Sequence, residues 1–436
     1  MGDGLDISHG GALAVDTAEL RMVAVRLRRL VREVEEARDD LRAARGAADE
    51  ARLDLDGVTM AVHRLDGIRE TLSAAARGTE LMAEAYEIVE LRARAALLSA
   101  SDRDEAAALM RDADLLAARS PAAAAAAGSL MAQWRRDRFA GFTTQTGWAD
   151  RVLPGGGLVP GGPGSAPMSV FTGMWLGGVV ASARGVVPVS TVLAPRPHAL
   201  RLTPTAVAPP TGPPSGLADA IARFPTTPGA QVRVEGYTAP DGARRFVAYI
   251  AGTRPTLDRT EPWDMTANLQ LYAERAEADS LQAVRDALAD AGAGPGARVD
   301  LVGHSQGGMI AALLAQGEEY DVRAVVTFGS PIEAELPDDV LGVTVRHTDD
   351  PVSSLAGGGL PQGTGARGSM VIERIGDPAQ GLHDLTLRTH LLTTYAETAA
   401  LADSSDDPRI AALRERLAEG GDLADVVATD YRARRP

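Results

Sequence analysis

The sequence predicts an α/β fold in the C-terminal half, with a doubly wound, mostly parallel sheet, preceded by an all-α helical bundle or hairpin domain. Three observations support this prediction. Apolar residues recur at helical spacing in the N-terminal region, a middle stretch is dominated by glycine and proline, and strand-like runs then alternate with amphipathic helices. The predicted domains are a helical domain over 1–150, a linker with a candidate lid segment over 151–215, and an α/β domain over 216–436.

The composition is that of a globular protein without a nucleic-acid partner. The 436 residues are 45% hydrophobic and carry a formal net charge of −15, and excess negative charge opposes binding to phosphate backbones. The chain has no cysteine, which excludes disulfides, a thiolate nucleophile and a Cys-based zinc site. We expect no metal and no cofactor. All 44 basic residues are arginine, which indicates the GC-rich coding bias of actinobacteria.

Neither a secretory signal nor a stable membrane span is predicted. Residues 1–11 are acidic and glycine-rich, without the basic and apolar regions of a secretory signal. The most membrane-like stretch, 168–190, is interrupted by glycines and carries Arg184. We therefore expect a protein that is cytoplasmic, or exported without a Sec signal.

The N-terminal region is predicted to form paired helices. Asp16 and Glu19 fit a capping box. Apolar residues then follow at alternating steps of three and four: Leu20, Val23, Leu27, Leu30, Val34, Ala37, Leu41 and Ala44. Such a seam is typical of a helix that pairs along its length. Further helices are expected over 59–76, 80–98 and 101–118, and in the Ala-rich run after Pro121. The seam predicts a coiled-coil hairpin, or a surface for a helical partner or a second copy of the chain.

The middle of the chain is predicted to be a linker. Residues 153–167 are rich in glycine and proline, and 195–214 are rich in proline, a composition that favours turns over packed elements. The apolar segment between them, 169–193, is a candidate lid or an inter-domain packing segment. The sequence does not decide between the two.

From residue 216 onward, strands and helices alternate. Strands are predicted over 231–237, 246–251, 298–302, 322–328, 341–346 and 370–375, and helices over 280–291, over 307–315 and after His390. The run 322–328 is apolar and β-branched, as in a parallel strand buried on both faces.

A G-x-S-x-G pentapeptide, with Ser305 at its centre, lies between the predicted strand 298–302 and the helix that follows. A sharp strand-to-helix turn strains the serine, and small residues on both sides relieve the crowding. The hydroxyl then projects above the carboxyl edge of the sheet, where such folds bind ligands. The pentapeptide in this context resembles the α/β-hydrolase superfamily, in particular its lipase and esterase branch, over residues 216–400.

The resemblance implies a catalytic domain with a triad in the order serine, acid, histidine. Asp350 is the favoured acid, because Asp-Pro-Val resembles the turn after the acid in lipases, and Asp349 is the alternative. Either aspartate could instead cap a turn before proline. Of the seven histidines, only His383 and His390 follow the acid. His390 is favoured because it heads a segment resembling the final helix of related hydrolases.

Two backbone N–H groups are needed to stabilise an oxyanion. One is expected from Gln306, directly after the nucleophile, and the second from Thr253, whose Gly-Thr turn resembles that of lipases. The alternative is an ordinary strand-ending turn at Thr253. His304 is interpreted as a packing residue, and 328–331 as a structural turn bordering the site. Residues 262–268 are candidates for its entrance.

The helical region weakly resembles the helical-hairpin proteins exported by type VII secretion in actinobacteria. Tyr86 and Glu90 fit the Y-x-x-x-D/E signal of those proteins, whereas the W-x-G letters occur only far downstream, at 175–177. The resemblance implies export through that route.

The function expected from the resemblance is that of a serine hydrolase acting on a small ester or a lipid. A catalytically silent scaffold serving the helical domain is the alternative from another class. An acyltransferase or a peptidase could use the same triad, because fold and triad do not fix the acyl acceptor.

Overall fold

A computed structural model describes residues 4–8, 17–50, 56–98, 103–137, 185–196, 199–254, 258–360, 364–379, 387–419 and 424–436. The chain divides into two compact units. The helical unit comprises Leu13–Gln133, and the sheet unit combines Met1–Ala12 with Trp134–Pro436. The prediction of a helical N-terminal region followed by an α/β region is confirmed.

The described part of the N-terminal region contains four helices: α1 (Thr17–Glu50), α2 (Asp56–Leu98), α3 (Arg103–Arg119) and α4 (Pro121–Asp137). Ion pairs of Arg21 with Glu87 and of Arg28 with Glu80 show that α1 and α2 run antiparallel. The two helices predicted over 59–76 and 80–98 are one continuous helix, α2. Gly78 costs about 1 kcal/mol in a helix relative to alanine, and packing along α1 outweighs that cost.

The line of least exposed residues along α1, of which only Ala24 is fully buried, lacks four of the eight members of the predicted seam. It consists of Leu20, Ala24, Leu27, Val31, Val34, Arg38 and Leu41. Val23 and Leu30, which belong to the predicted seam, are 42% and 45% exposed. Both lines have the same spacing, so the sequence of α1 alone leaves the choice open. Ala24 permits close approach of α2, and Arg38 pairs with Asp66 of that helix, which selects the observed line.

Among the described residues of the sheet unit, nine strands form one sheet in the order β1-β10-β9-β7-β6-β5-β4-β11-β3. Its strands are β1 (Asp6–Ser8), β3 (Arg201–Val207), β4 (Val232–Thr238), β5 (Arg244–Ile250), β6 (Arg298–His304), β7 (Asp321–Phe328), β9 (Leu341–His347), β10 (Met370–Arg374) and β11 (Asp425–Arg434). β2 (Val186–Val187) and β8 (Glu333–Ala334) form a separate parallel pair. Five adjacent strands of the nine-stranded sheet are parallel, namely β5, β6, β7, β9 and β10. The four other strands of this sheet, β1, β3, β4 and β11, pair antiparallel with their neighbours.

Helices cover both faces of this sheet. They are α5 (Leu217–Ala222), α6 (Met265–Leu269), α7 (Asp279–Asp290), α8 (Gln306–Gln316), α9 (Leu392–Asp403) and α10 (Pro408–Ala418). On β5, Phe246 packs into the core under α7 and α8, whereas Val247 and Tyr249 pack into the core under α5, α9 and α10. This alternation follows from the two-residue period of a strand and gives the doubly wound arrangement.

Three strands at the sides of the sheet depart from the predicted organisation. β1 lies in the range assigned to the helical domain, β3 lies in the range assigned to the linker, and β11 occupies a C-terminal region expected to be helical. β3 contains Pro204, which an edge strand tolerates because one side of its backbone needs no partner. The stretch 153–167 and most of 168–190 lie outside the described residues, and no described helix is long and apolar enough to cross a membrane.

Candidate active site

Ser305 lies at the tip of a strained turn between β6 and α8. Its backbone has φ 55° and ψ −120°, and Arg275 and Leu387 are the only other non-glycine residues with positive φ in the described part of the chain. A Cβ at Gly307 would come 2.1 Å from the carbonyl oxygen of Ile250, so the turn requires glycine there. The strain is of order 1–3 kcal/mol and is typical of functional positions.

The Ser305 hydroxyl is the first member of a hydrogen-bonded chain. Its Oγ lies 2.8 Å from Nε2 of His390, and Nδ1 of His390 lies 2.7 Å from Oδ2 of Asp350. His390 ends a 3-10 turn (Arg388–His390) just before α9, and Asp350 follows β9. The carboxyl ends of β6 and β9 thus bring together three residues that are 85 and 40 positions apart.

The carboxyl group of Asp350 is fully buried. Burial raises its pKa, but the adjacent His390 and hydrogen bonds from His390, Tyr395 and the Val352 N–H outweigh burial and hold the pKa below its ordinary value. An ionised carboxylate accepts only, so the Nδ1–H of His390 donates to it. This leaves Nε2 as the acceptor for the Ser305 hydroxyl.

The structure describes the alternative acid, Asp349, but not the alternative base, His383. Asp349 does not face His390: its carboxylate accepts from the backbone N–H groups of Gly376 at 2.7 Å and Asp377 at 2.9 Å. His383 lies outside the described residues. Of the two aspartates, Asp350 is therefore the one in contact with His390.

Two further histidines hold the turn that carries His390. Burial lowers the pKa of His304 to about 3 and that of His347 to about 4, so both are neutral at pH 7. Nε2–H of His304 donates to the carbonyl oxygen of His390 at 2.9 Å. Nδ1–H of His347 donates to the carbonyl oxygen of Thr389 at 2.7 Å. His304 thus anchors this turn, beyond the packing role expected from sequence.

The loop after β5 carries Thr253 beside the strained turn of Ser305. A Cβ at Gly252 would lie 2.7 Å from Nδ1 of His304, so only glycine permits this approach. The Thr253 hydroxyl accepts from the side-chain amide of Asn268 at 2.8 Å, and Trp263 donates to the carbonyl oxygen of Ala251 at 3.0 Å. These contacts fix the loop. The backbone N–H groups of Thr253 and of Gln306 have no acceptor among the described residues.

A small cleft opens beside Ser305. It is lined, besides Ser305, by Thr253, Met265, Asn268, Met309, Pro331, Val352 and Leu355. Most of these side chains are apolar and none is charged. Met265 and Asn268 come from the predicted entrance segment 262–268, and Pro331 comes from the turn 328–331.

The sequence patterns do not indicate the roles of two residues of the site. Tyr395 donates a hydrogen bond to Asp350, and Asn268 supports Thr253. Tyr395 ends the segment used to select His390, but its place on α9 relative to the acid depends on how the helix packs. Asn268 acts through a loop contact, which spacing does not reveal.

The fold of the sheet unit and the geometry of this site are similar to those of α/β-hydrolases. Residues 230–353 match a family model described as alpha/beta hydrolase. The matched segment includes Thr253, Ser305, Gln306 and Asp350, and it ends before His390. The match supports the resemblance to the superfamily over this segment, which is less than a third of the chain.

Similarity to known proteins extends no further. No curated protein and no solved structure matches the chain significantly. The matched segment lies entirely in the sheet unit, so the type VII secretion resemblance of the helical region is not supported. Tyr86 and Glu90 lie within α2, and residues 175–177 lie outside the described residues.

Proposed function

We propose that the α/β-hydrolase domain is a serine esterase, in which Ser305 is the nucleophile, His390 the general base and Asp350 the acid of the triad. The observation that carries this proposal is the unbroken hydrogen-bonded chain Ser305–His390–Asp350, with distances of 2.8 and 2.7 Å. A nucleophilic serine needs a base within hydrogen-bond reach and a third group that orients the base. A catalytically silent scaffold has no need for these distances or for the strained backbone of Ser305.

Acylation begins when Nε2 of His390 takes the proton of the Ser305 hydroxyl. Oγ attacks the ester carbonyl carbon, and the carbonyl oxygen becomes an oxyanion that accepts from the N–H groups of Gln306 and Thr253. The protonated His390 is stabilised by the Asp350 carboxylate and then gives its proton to the departing alkoxide. The ester C–O bond breaks, an alcohol leaves, and the acyl group stays on Ser305.

Deacylation repeats these steps with water as the nucleophile. His390 takes a proton from the water, the resulting hydroxide attacks the acyl carbonyl, and the bond to Oγ breaks. The proton returns to Ser305, and a carboxylic acid leaves. His390 thus acts as base and as acid in each half-reaction, which its single contact with Ser305 permits.

The cleft beside Ser305 favours a short, apolar acyl group. Its lining is mostly apolar, and its enclosed volume is small beside the roughly 300–1,000 Å³ of pockets that hold drug-sized ligands. We expect kcat/KM for p-nitrophenyl acetate and butyrate to exceed that for the octanoate and palmitate by about tenfold or more. Steady-state rates over the four esters, with Ser305→Ala as the blank, test this expectation.

The possible outcomes separate the parts of the proposal. A preference for palmitate would contradict the short acyl group but leave the serine esterase standing. No hydrolysis, together with no fluorophosphonate adduct on the chain, would favour the silent scaffold. Faster transfer of the acyl group to added alcohol than to water would make the enzyme an acyltransferase.

A further inference from the structure

Tyr395 lies directly behind the acid of the site. Its hydroxyl is 2.7 Å from Oδ2 of Asp350, the same oxygen that faces His390. The other carboxylate oxygen, Oδ1, accepts from the Val352 N–H at 2.8 Å. Because the ionised carboxylate can only accept, the Tyr395 hydroxyl is the donor of its hydrogen bond.

The surroundings of Tyr395 fix its ring and the direction of its hydroxyl. The ring stacks on the His347 ring with centroids 4.0 Å apart and planes 6° apart. His347 is held at both nitrogens, by the Thr389 carbonyl and by the Thr398 hydroxyl, each at 2.7 Å. The backbone N–H of His347 donates to the Tyr395 oxygen at 3.3 Å. The hydroxyl therefore receives one hydrogen bond from β9 and gives its own to Asp350.

We propose that Tyr395 is a positioning residue of the triad, whose hydroxyl holds the Asp350 carboxylate aimed at His390. This inference rests on the proposed serine esterase function. Tyr395 is not among the residues that line the cleft, so it acts through Asp350. A fourth, fully buried member then completes a chain from α9 to the nucleophile.

The electrostatic consequence is a change in the pH dependence of the rate. The Asp350 carboxylate is faced by His390, by Tyr395 from α9 and by the Val352 N–H, with neutral His304 and His347 and the carboxyl of Asp349 nearby. The Tyr395 hydrogen bond lowers the pKa of Asp350. Without the hydroxyl, the Asp350–His390 pair takes up its inactivating proton at a higher pH, so the acid limb of kcat against pH moves to higher pH.

The test is Tyr395→Phe, which keeps the ring and removes the hydroxyl. We expect kcat to fall about tenfold or more, KM to stay within a few-fold, and the acid limb to move to higher pH. Tyr237→Phe is the matched control, because it also removes a buried hydroxyl that contacts a buried carboxylate, that of Glu235 at 2.5 Å. The control should keep the wild-type pH profile. An unchanged profile in Tyr395→Phe, or the same shift in both variants, would overturn the proposal.

If Tyr395→Phe does not fold, a second variant, in which residue 395 is a stronger hydrogen-bond donor than tyrosine, tests the same proposal. A difluorotyrosine placed at position 395 occupies nearly the same volume and is a more acidic phenol. We expect the acid limb to move to lower pH in that variant, and no movement would contradict the proposal. Fluorophosphonate labelling of Ser305 in the wild type separates a failure of the Tyr395 proposal from a failure of the proposed esterase function. Labelling with unaltered profiles defeats only the role of Tyr395, and no labelling defeats the esterase itself.

Discussion

Ser305→Ala should lower kcat for a short ester by about four to six orders of magnitude, while leaving the fold intact. The hydroxyl is the only group hydrogen-bonded to Nε2 of His390 among the described residues, so nothing replaces it as nucleophile. Losing one small oxygen from a turn whose backbone is held by Ile250, Phe328 and α8 leaves the packing unchanged. Circular dichroism and steady-state rates measure the two effects separately.

Ser330→Ala is the matched control for that variant. Ser330 also lies at the carboxyl end of a central strand and is also buried, but its hydroxyl donates to the carbonyl oxygen of Ile332 at 2.8 Å. We expect this variant to keep kcat within a few-fold of wild type. Equal losses of kcat in the two variants would mean that activity is sensitive to any substitution at this edge of the sheet. That result would contradict the assignment of Ser305 as the nucleophile.

His390→Ala should be about as damaging as Ser305→Ala, because members of a triad act as a unit. Without the imidazole, nothing takes the proton of Ser305, and the buried Asp350 carboxylate loses its partner. His383→Ala should be mild. Rates of both variants on one short ester, with added imidazole as a rescue of His390→Ala, measure the difference.

A reversed result would reassign the base. If His383→Ala abolished turnover and His390→Ala kept normal rates, the hydrogen bond between Ser305 and His390 would not be the productive one. Equal, partial losses in the two variants would point to disturbance of the turn rather than to a lost base.

The central strands could be predicted from the sequence because they are buried on both faces. β7 is rich in apolar, β-branched residues, and β6 carries Val299, Leu301 and Val302 between turn residues. The observed bounds of both strands agree with the predicted ones within two residues. β11, by contrast, reads Asp-Val-Val-Ala-Thr-Asp-Tyr-Arg-Ala-Arg, with charges at the positions that face solvent or ion pairs. Asp430 of this strand is buried and forms an ion pair with Arg233 of β4 at 2.6 Å. This ion pair cannot be predicted without knowing that β4 and β11 are neighbours in the sheet.

The candidate site divides in the same way. Ser305 and Gln306 follow from the local chemistry of a strand-to-helix turn, and the order of acid and histidine narrowed the partners to four residues. The choice between Asp349 and Asp350 depends on where two adjacent side chains point, which a sequence does not encode in its spacing. The role of Tyr395 could not be predicted for a related reason. Its contact with Asp350 joins residues 45 positions apart and depends on how α9 packs on β9.

The most direct test of the account is to trap the acyl-enzyme. The wild-type chain is mixed with p-nitrophenyl butyrate, quenched in acid within milliseconds to seconds, digested, and examined by peptide mass spectrometry. The account predicts a butyryl group on Ser305, absent from Ser305→Ala and removed when the reaction is allowed to run to completion. A butyryl group on any other residue, or ester turnover with no adduct at Ser305 at any quench time, would contradict it.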